Sequence, residues 1–328
     1  MNTIFNDMAR AMNFKGIASK NCYEDGTLKD CILNEENCVS TAYGELTPKY
    51  GPEEARSKYH PSVSFYRCGA IKSIALEKQT KISTTIGVFP AELVTFYESG
   101  ALKRLFPLNG KISGYWTESD EEGLCEVFRF SFPFGSFKAK IISLCFYENG
   151  NLKAVTLWPG ETIILKNRVD LYPVRIGFSL YEEGLLKSIE PAYELILETP
   201  IGNIKAYNQS AIGISGEANS LCFNRDGSIK ALATSDSKIE VYSRDGSVQL
   251  MEPIVQPDPL EEDKVTIIPL HISFEGQKVK FQGSSAQIFD TYTNRFKVIE
   301  SQISGAYSDG AASRISCGDC TKCSLCKS

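Results

Sequence analysis

Histidine is almost absent from this chain, and the motifs that commonly carry catalysis are missing. The 328 residues include two histidines, His60 and His271. His60 lies in a polar segment before Pro61 and His271 lies in a predicted strand, so both are interpreted as surface or structural residues. The sequence has no Gly-x-Ser-x-Gly elbow, no Gly-Lys-Ser/Thr phosphate loop and no His-Glu-x-x-His helix. We therefore expect a protein that is not an enzyme.

The chain also lacks an excess of positive charge and any long apolar run. Lys and Arg total 35 against 40 acidic residues, which gives a net charge of −5. A protein built to bind a nucleic acid backbone needs a basic surface, so a nucleic acid partner is not expected. No apolar run approaches the ~18 residues of a membrane span. Asp7 and Arg10 lie where a secretory signal would be apolar. These features predict a cytoplasmic protein with no membrane partner.

One eight-residue pattern recurs along the chain. It reads aromatic-Tyr-x-x-Gly-x-Leu-Lys and is clearest from Phe96 to Lys103 and from Phe146 to Lys153. Two polar residues followed by glycine are typical of a hairpin with a type I turn and a G1 bulge, in which the glycine takes a positive φ. The six turn glycines are Gly26, Gly69, Gly100, Gly150, Gly184 and Gly227. A faded seventh copy surrounds Gly246.

The hairpin geometry assigns the recurring positions of each unit to opposite faces of the sheet. The aromatic residue pairs with the Leu or Ile two residues after glycine, and we expect this pair on the core side. Tyr and Lys then share the other face, where each Lys is predicted to stand opposite a small residue, as Lys103 opposite Thr95. This predicted binding surface comprises Tyr23, Tyr66, Tyr97, Tyr147, Tyr181, Lys29, Lys72, Lys103, Lys153, Lys187 and Lys230.

The pattern resembles the hairpins of the variant MORN-repeat family, over roughly residues 21–250. The resemblance implies an all-β fold in which repeated antiparallel hairpins and meanders form an extended curved sheet. The spacing between turn glycines varies from 31 to 50 residues. Its average of about 40 also fits a β-propeller blade of about 40–45 residues, so a propeller of about six blades is the alternative fold.

The tyrosine–lysine positions have two interpretations. Each Tyr ring can simply pack under a Lys stem across the hairpin. Alternatively, the positions form a repeated docking surface for a protein, or for the anionic lipid head groups that the MORN resemblance implies. Acidic turn residues dilute the lysine row and favour a protein partner over lipid; they are Glu24, Asp25, Glu98, Glu148, Glu182, Glu183 and Asp226.

Composition divides the chain into five parts. Ile4, Phe5, Met8 and Met12 recur at helical spacing and predict a short helix in an N-terminal cap. The acidic residues 118–122 are interpreted as a solvated loop. The predicted parts are the cap (1–20), the hairpin-repeat domain (21–251), a Pro-rich acidic linker (252–263), a small β region (264–303), and a flexible lead with a cysteine tail (304–328).

Four of the eleven cysteines form the sharpest chemical signal in the sequence. Cys317, Cys320, Cys323 and Cys326 are each separated by two residues. Closely spaced thiolates select soft metals, and the first three resemble the Cys-x2-Cys-x2-Cys run of bacterial ferredoxins. Zinc usually takes two Cys-x2-Cys pairs that a longer loop separates. An iron–sulfur cluster, of the [4Fe–4S] kind, is therefore the first expectation, zinc the second, and an unliganded thiol tail the third.

These features together predict an interaction platform with a soft-metal site at its C-terminal end. The first alternative is a redox accessory protein, in which the tail cluster transfers electrons and the repeats dock it to an enzyme. The second is a hydrolase whose site is not recognisable in the sequence. The other seven cysteines are interpreted as reduced thiols, several of them in the core.

Overall fold

A computed structural model of the chain describes residues 14–52, 54–212, 219–257, 265–283 and 285–300. This part of the chain contains one helix, α1 (Glu118–Leu124), and 27 strands. The strands are β1 (Ile17–Cys22), β2 (Leu28–Leu33), β3 (Val39–Thr41), β4 (Gly44–Leu46), β5 (Val63–Phe65), β6 (Ile71–Thr84), β7 (Gly87–Phe96), β8 (Leu102–Phe106), β9 (Phe128–Phe132), β10 (Gly135–Ala139), β11 (Ile141–Phe146), β12 (Leu152–Leu157), β13 (Ile163–Asn167), β14 (Asp170–Leu180), β15 (Leu186–Pro191), β16 (Leu195–Thr199), β17 (Gly202–Ala206), β18 (Leu221–Phe223), β19 (Ile229–Thr234), β20 (Ser237–Tyr242), β21 (Val248–Met251), β22 (Ile254–Pro257), β23 (Val265–Ile268), β24 (Leu270–Glu275), β25 (Lys278–Gln282), β26 (Ala286–Asp290) and β27 (Arg295–Glu300).

Sixteen of these strands form one antiparallel sheet. Its path is β1-β2-β5-β6-β7-β8-β11-β12-β14-β15-β18-β19-β24-β25-β26, and β13 pairs with β14 beside it. The six hairpins of the sequence pattern follow one another along this path, and we number them units 1 to 6. The prediction of an all-β open sheet built from repeated hairpins is confirmed. The hairpins share one continuous sheet rather than the separate blades of the propeller alternative.

Every unit closes with the turn that the sequence predicts. In unit 3, the Gly100 N–H donates to the Tyr97 carbonyl (2.9 Å) and the Tyr97 N–H donates to the Ala101 carbonyl (2.8 Å). The same two bonds recur in the other five units. All six turn glycines have φ between +81° and +88°, a region that a Cβ atom disfavours.

The predicted register is correct at the core position and wrong at the lysine. Phe96 pairs with Leu102 as expected, but Thr95 pairs with Arg104 instead of Lys103. A second β-bulge, after the one at the turn glycine, inserts one residue. Lys103 and Arg104 therefore lie together opposite Thr95, where a regular ladder would place one residue. The same register shift occurs in all six units.

A continuous apolar row crosses the core side of the sheet. Val94 pairs with Leu105, Leu105 pairs with Leu144, and this alignment continues through neighbouring strands in both directions. Full burial of a Val, Leu, Ile or Phe side chain contributes roughly 1.5–3 kcal/mol. The row members are at most 1% exposed: Cys31, Val63, Ile74, Val94, Leu105, Leu144, Val155, Phe178, Ile189, Leu221, Leu232, Ile272 and Phe281.

Smaller hairpins cover this row from the core side. The hairpin that follows one unit packs on the unit two places further along the chain. Tyr43 after unit 1 contacts Phe96 of unit 3, and Tyr172 after unit 4 contacts Phe223 of unit 6. Likewise, Phe134 after unit 3 packs edge-on against Phe178, which lies on β14 of unit 5. Units 1, 3 and 4 are thus tied to the unit two places ahead as well as to their neighbours.

Several of the covering hairpins share a second turn pattern that the sequence analysis missed. Thr41, Thr84 and Thr199 each donate a hydroxyl bond to the carbonyl of a glycine three residues later, at 2.6–2.8 Å. The residue before that glycine is apolar or aromatic and packs toward the core, as Ile201 does. The signal is present in the sequence as Thr-x-Tyr/Ile-Gly, at Thr41, Thr84 and Thr199.

The acidic segment 118–122 is helical, so its interpretation as a solvated loop is wrong. Thr117 caps α1, and Glu121 of the helix is buried. Arg56 donates bidentate bonds to both Glu121 and Glu92 at 2.7–3.0 Å. The Glu121 carboxylate also accepts a bond from Trp116 Nε1 (2.7 Å). This fully bonded cluster fixes the insert between units 3 and 4 to the sheet.

The main sheet continues past the predicted linker 252–263. Residues 254–257 of that linker form β22, and β24 beyond it pairs with β19 of unit 6. Residues 258–263 lie outside the described residues, as does the N-terminal helix predicted around Ile4, Phe5, Met8 and Met12.

Candidate functional site

The tyrosine–lysine face is the outer side of the main sheet along its row of motif turns. We define it by Tyr23, Tyr66, Tyr97, Tyr147, Tyr181 and by Lys29, Lys72, Lys103, Lys153, Lys187, Lys230. The lysines lie on β2, β6, β8, β12, β15 and β19, which are alternate strands of the path. Since neighbouring strands are about 4.8 Å apart, successive lysines are spaced by roughly 10 Å.

The tyrosine hydroxyls form a ladder of hydrogen bonds between consecutive units. Each hydroxyl donates to the carbonyl of the core residue that begins the eight-residue pattern in the next unit, at 2.7–2.8 Å. The bonds join Tyr23 to Phe65, Tyr66 to Phe96, Tyr97 to Phe146, Tyr147 to Leu180, and Tyr181 to Phe223. The ladder stops at unit 6, where Asn224 replaces the tyrosine. The hydroxyls therefore stabilise the junctions between units.

Each tyrosine ring of units 2 to 5 lies beneath the lysine of its own hairpin. The ammonium is 5.4–5.9 Å from the ring centroid in the pairs Lys72–Tyr66, Lys103–Tyr97, Lys153–Tyr147 and Lys187–Tyr181. A cation at this distance over an aromatic ring gains about 0.5–1 kcal/mol at an exposed site. The rings therefore bias where the positive charges are held.

Two arginines add to the face, and the sequence analysis missed them. Arg67 and Arg225 occupy the position two residues before glycine, where units 1, 3, 4 and 5 carry glutamate. The Arg67 guanidinium lies 5.4 Å from the Tyr23 ring, and Arg225 lies 4.5 Å from the Tyr181 ring. Each arginine therefore covers the tyrosine of the preceding unit. The replacement of glutamate by arginine at this position can be seen when the six copies of the pattern are aligned with one another.

Acidic groups line the turns at the outer margin of the face. Glu24, Glu98, Glu148 and Glu182 are all exposed. The hydroxyl and the N–H of Thr27 bond to the Asp25 carboxylate and hold the pKa of Asp25 below its usual value. Positive and negative side chains are mixed along the turn margin, where Asp25 pairs with Arg67 (3.8 Å) and Glu183 pairs with Arg225 (3.3 Å).

Small side chains lie behind the lysines on the same face. Ser179, Ser188 and Cys145 are buried, and Ser179 and Ser188 share a hydrogen bond of 2.6 Å. Burial raises the pKa of the Cys222 thiol, although Lys230 and Lys187 oppose this shift. A raised pKa keeps the thiol protonated and poorly nucleophilic, so Cys222 has a structural role here.

A buried carboxyl group, Glu190, lies farther from the turns on this outer side. It is 2% exposed and accepts a bond from the Ser220 N–H (2.9 Å). Its other oxygen is 3.9 Å from the Arg175 guanidinium. Burial raises the pKa of Glu190, and the bonds from Ser220 and the charge of Arg175 only partly oppose this shift.

The predicted metal ligands Cys317, Cys320, Cys323 and Cys326 lie outside the described residues. Within the described ranges, no group of three or more His, Cys, Asp or Glu side chains is placed to hold a metal ion. The seven cysteines in those ranges are all free thiols; Cys31 and Cys125 are among the buried ones. His60 is partly buried in a loop and His271 lies on β24, so the structure does not bring the two histidines together.

In the part of the chain that the structure describes, no helix is long and apolar enough to cross a membrane. No family model, curated protein or solved structure matches this chain.

Proposed function

We propose that this protein is a non-enzymatic interaction platform. Its tyrosine–lysine face docks a protein partner, and its C-terminal cysteines Cys317, Cys320, Cys323 and Cys326 bind a soft metal, an iron–sulfur cluster in preference to zinc. The cytoplasm is the proposed location.

The observation that carries the docking proposal is the coupling of four lysines, those of units 2 to 5, to the hydroxyl ladder. A lysine stem rests on a tyrosine ring, and the hydroxyl of that ring is bonded to the next unit. The charge is therefore partly ordered before any partner arrives, which reduces the side-chain entropy that binding costs. A regular array of this kind supports recognition of an extended protein surface.

The docking proposal is tested by affinity capture with three baits. The first is the full chain, and the second carries Lys29→Glu, Lys103→Glu and Lys187→Glu on the face. The third is a matched control with Lys138→Glu, Lys166→Glu and Lys278→Glu, three exposed lysines outside the face. We expect the first and third baits to retain the same proteins from a lysate of the source organism and the second to lose them. Equal retention by all three baits would contradict docking through this face.

The metal proposal rests on the spacing of the four cysteines and is tested separately. Metal content and visible absorbance are measured on anaerobically purified full chain and on a chain that ends at Ser316. Iron with sulfide and a broad visible band, lost on truncation, are the expected results. Zinc alone would replace the cluster by a zinc site, and no metal in the full chain would contradict the proposal.

A further inference from the structure

We infer that Glu190 and Arg175 form a pH-sensitive switch that controls how firmly the segment after β17 is held. This switch lies outside the tyrosine–lysine face and goes beyond the proposed docking function. Its acidic component, the Glu190 carboxyl group, is 2% exposed. Oε2 of this carboxyl accepts a bond from the Ser220 N–H (2.9 Å), whereas Oε1 is buried and has no hydrogen-bond partner among the described residues. An unsatisfied buried acceptor is costly, so an arrangement that satisfies Oε1 gains free energy.

The guanidinium of Arg175 lies beside this oxygen but is bonded to other groups. Its Nη2 atom is 3.9 Å from Glu190 Oε1, which is too long for a hydrogen bond. Nη2 donates instead to the Asn208 carbonyl (2.7 Å), and Nε donates to the Pro191 carbonyl (3.0 Å). The guanidinium also lies 4.8 Å from the centre of the Tyr207 ring. Arg175 therefore fastens the start of the segment after β17, and a shift of about 1 Å brings Nη2 within bonding distance of Oε1.

A strained bulge in β14 gives Arg175 the freedom to make this shift. The pairing of β14 with β15 skips Ile176 and Gly177, which form a bulge directly after Arg175. Ile176 has φ of +64°, a region that a β-branched side chain strongly disfavours. Such strain costs about 1–3 kcal/mol and persists only where the surroundings impose it. Because the two residues after Arg175 lie outside the regular ladder, a small movement of Arg175 breaks no ladder bond there.

One cation, Arg175, acts directly on the Glu190 carboxyl. Burial raises the pKa of Glu190, and the bonds from Ser220 and the charge of Arg175 only partly oppose this shift. Burial also raises the pKa of the Cys222 thiol, so Cys222 stays protonated in the range where a carboxyl group titrates. The titratable and charged groups on the described elements around Glu190 are Arg175 on β14, Lys187 on β15, Tyr207 after β17, Cys222 on β18 and Lys230 on β19. Glu190 is thus the group of this set whose charge changes in the acidic to neutral range.

The protonation state of Glu190 decides which bond Arg175 forms. While Glu190 is protonated, Arg175 remains on the Asn208 carbonyl and the Tyr207 ring. Once Glu190 ionises, the guanidinium moves toward Oε1, because two opposite charges attract more strongly than a charge and a neutral carbonyl. The segment then keeps its other bonds, such as that from the Tyr207 N–H to the Ala233 carbonyl (2.9 Å). The segment is therefore held most firmly at low pH, and this hold is lost as pH rises through the folded pKa of Glu190.

Hydrogen exchange of the full chain, kept reduced, tests the switch from about pH 5 to about pH 8. Mass spectrometry follows a peptide that contains residues 207–212, and the rates are corrected for the ordinary effect of pH on exchange. A peptide that contains residues 97–101 of unit 3, whose turn amides are also bonded, is the internal control. The variants are Glu190→Gln and Arg175→Lys, and circular dichroism first establishes that each is folded.

We expect the protection of residues 207–212 in the unmodified chain to fall by roughly two- to tenfold as pH rises, which is the effect of losing one hydrogen bond. Glu190→Gln cannot ionise, so its protection should stay high at every pH. Arg175→Lys lacks the planar fork that bonds two carbonyls, so its protection should be low at every pH. The control peptide should keep the same protection in all three proteins.

Protection of residues 207–212 that does not change with pH in the unmodified chain would overturn the inference. The same pH-dependent fall in Glu190→Gln would also overturn it, because another group would then be responsible. Arg175→Lys gives an independent result: a pH-dependent fall that survives this substitution would show that the movement of Arg175 is not the cause.

Discussion

The hydroxyl ladder makes a quantitative prediction for the variant Tyr66→Phe. This substitution keeps the ring beneath Lys72 and deletes the 2.8 Å bond to the Phe96 carbonyl. The net worth of such a bond is about 0.5–1.5 kcal/mol. The carbonyl that remains loses its partner at the junction of units 2 and 3. We therefore expect the free energy of unfolding to fall by about 1 kcal/mol, out of a total that is typically about 5–15 kcal/mol.

Urea unfolding followed by circular dichroism measures this loss, with Tyr115→Phe as the control. Tyr115 is 90% exposed, so loss of its hydroxyl should change stability by less than about 0.5 kcal/mol. Tyr181→Phe interrupts a distant junction, to the Phe223 carbonyl. The double variant Tyr66→Phe/Tyr181→Phe should therefore lose the sum of the two single effects. If Tyr66→Phe costs no more than Tyr115→Phe, the ladder does not hold the units together.

Three further variants test other parts of the fold and its electrostatics. Gly100→Ala meets no atom within 4 Å but must adopt φ of +85°, so thermal unfolding should show a loss of about 1 kcal/mol, whereas Gly114→Ala at an open site should show none. Thr199→Val deletes the 2.6 Å bond to the Gly202 carbonyl and should cost about 1 kcal/mol in urea unfolding; an unchanged midpoint would refute a role for the hydroxyl in that turn. Glu190→Gln tests the raised pKa of Glu190. Because the fold favours the protonated acid, protonation of Glu190 contributes to the stability of the folded state. This contribution is fully present below the unfolded pKa and is lost as pH rises through the folded pKa. The stability of Glu190→Gln relative to the unmodified chain should therefore increase with pH above the ordinary glutamate range, and a pH-independent difference would contradict the burial argument.

The motif hairpins could be predicted from the sequence because they are local. Four consecutive residues determine the turn, and its closing bonds join Tyr97 to Gly100 and Ala101 within five residues. The repeat of this local signal then fixed the fold class. The register error at Lys103 arose because the pattern gives the turn and its G1 bulge at the glycine but not the second bulge at Lys103. A bulge changes the pairing by one residue without changing which residues reach the core.

The contacts between units could not be predicted, because they join residues that are far apart in sequence. The Tyr97 hydroxyl and the Phe146 carbonyl are 49 residues apart, and Arg56 and Glu121 are 65 apart. No periodicity connects such pairs, since the intervening segments differ in length from unit to unit. The acidic segment 118–122 shows the consequence. Its composition favours solvent, yet one carboxylate, that of Glu121, is buried because Arg56 reaches it from 65 residues away, beside the nearby Trp116.

Lysine reactivity inside a native mixture tests the central claim that the tyrosine–lysine face docks a protein. The full chain is labelled briefly by reductive methylation, once in dilute buffer and once at the same concentration in a lysate of the source organism. Mass spectrometry compares Lys72, Lys103 and Lys187 on the face with the exposed control Lys138. We predict that the three face lysines are protected in the lysate while Lys138 reacts at its rate in buffer. Equal reactivity of the face lysines in both conditions, or equal protection of Lys138, would contradict it.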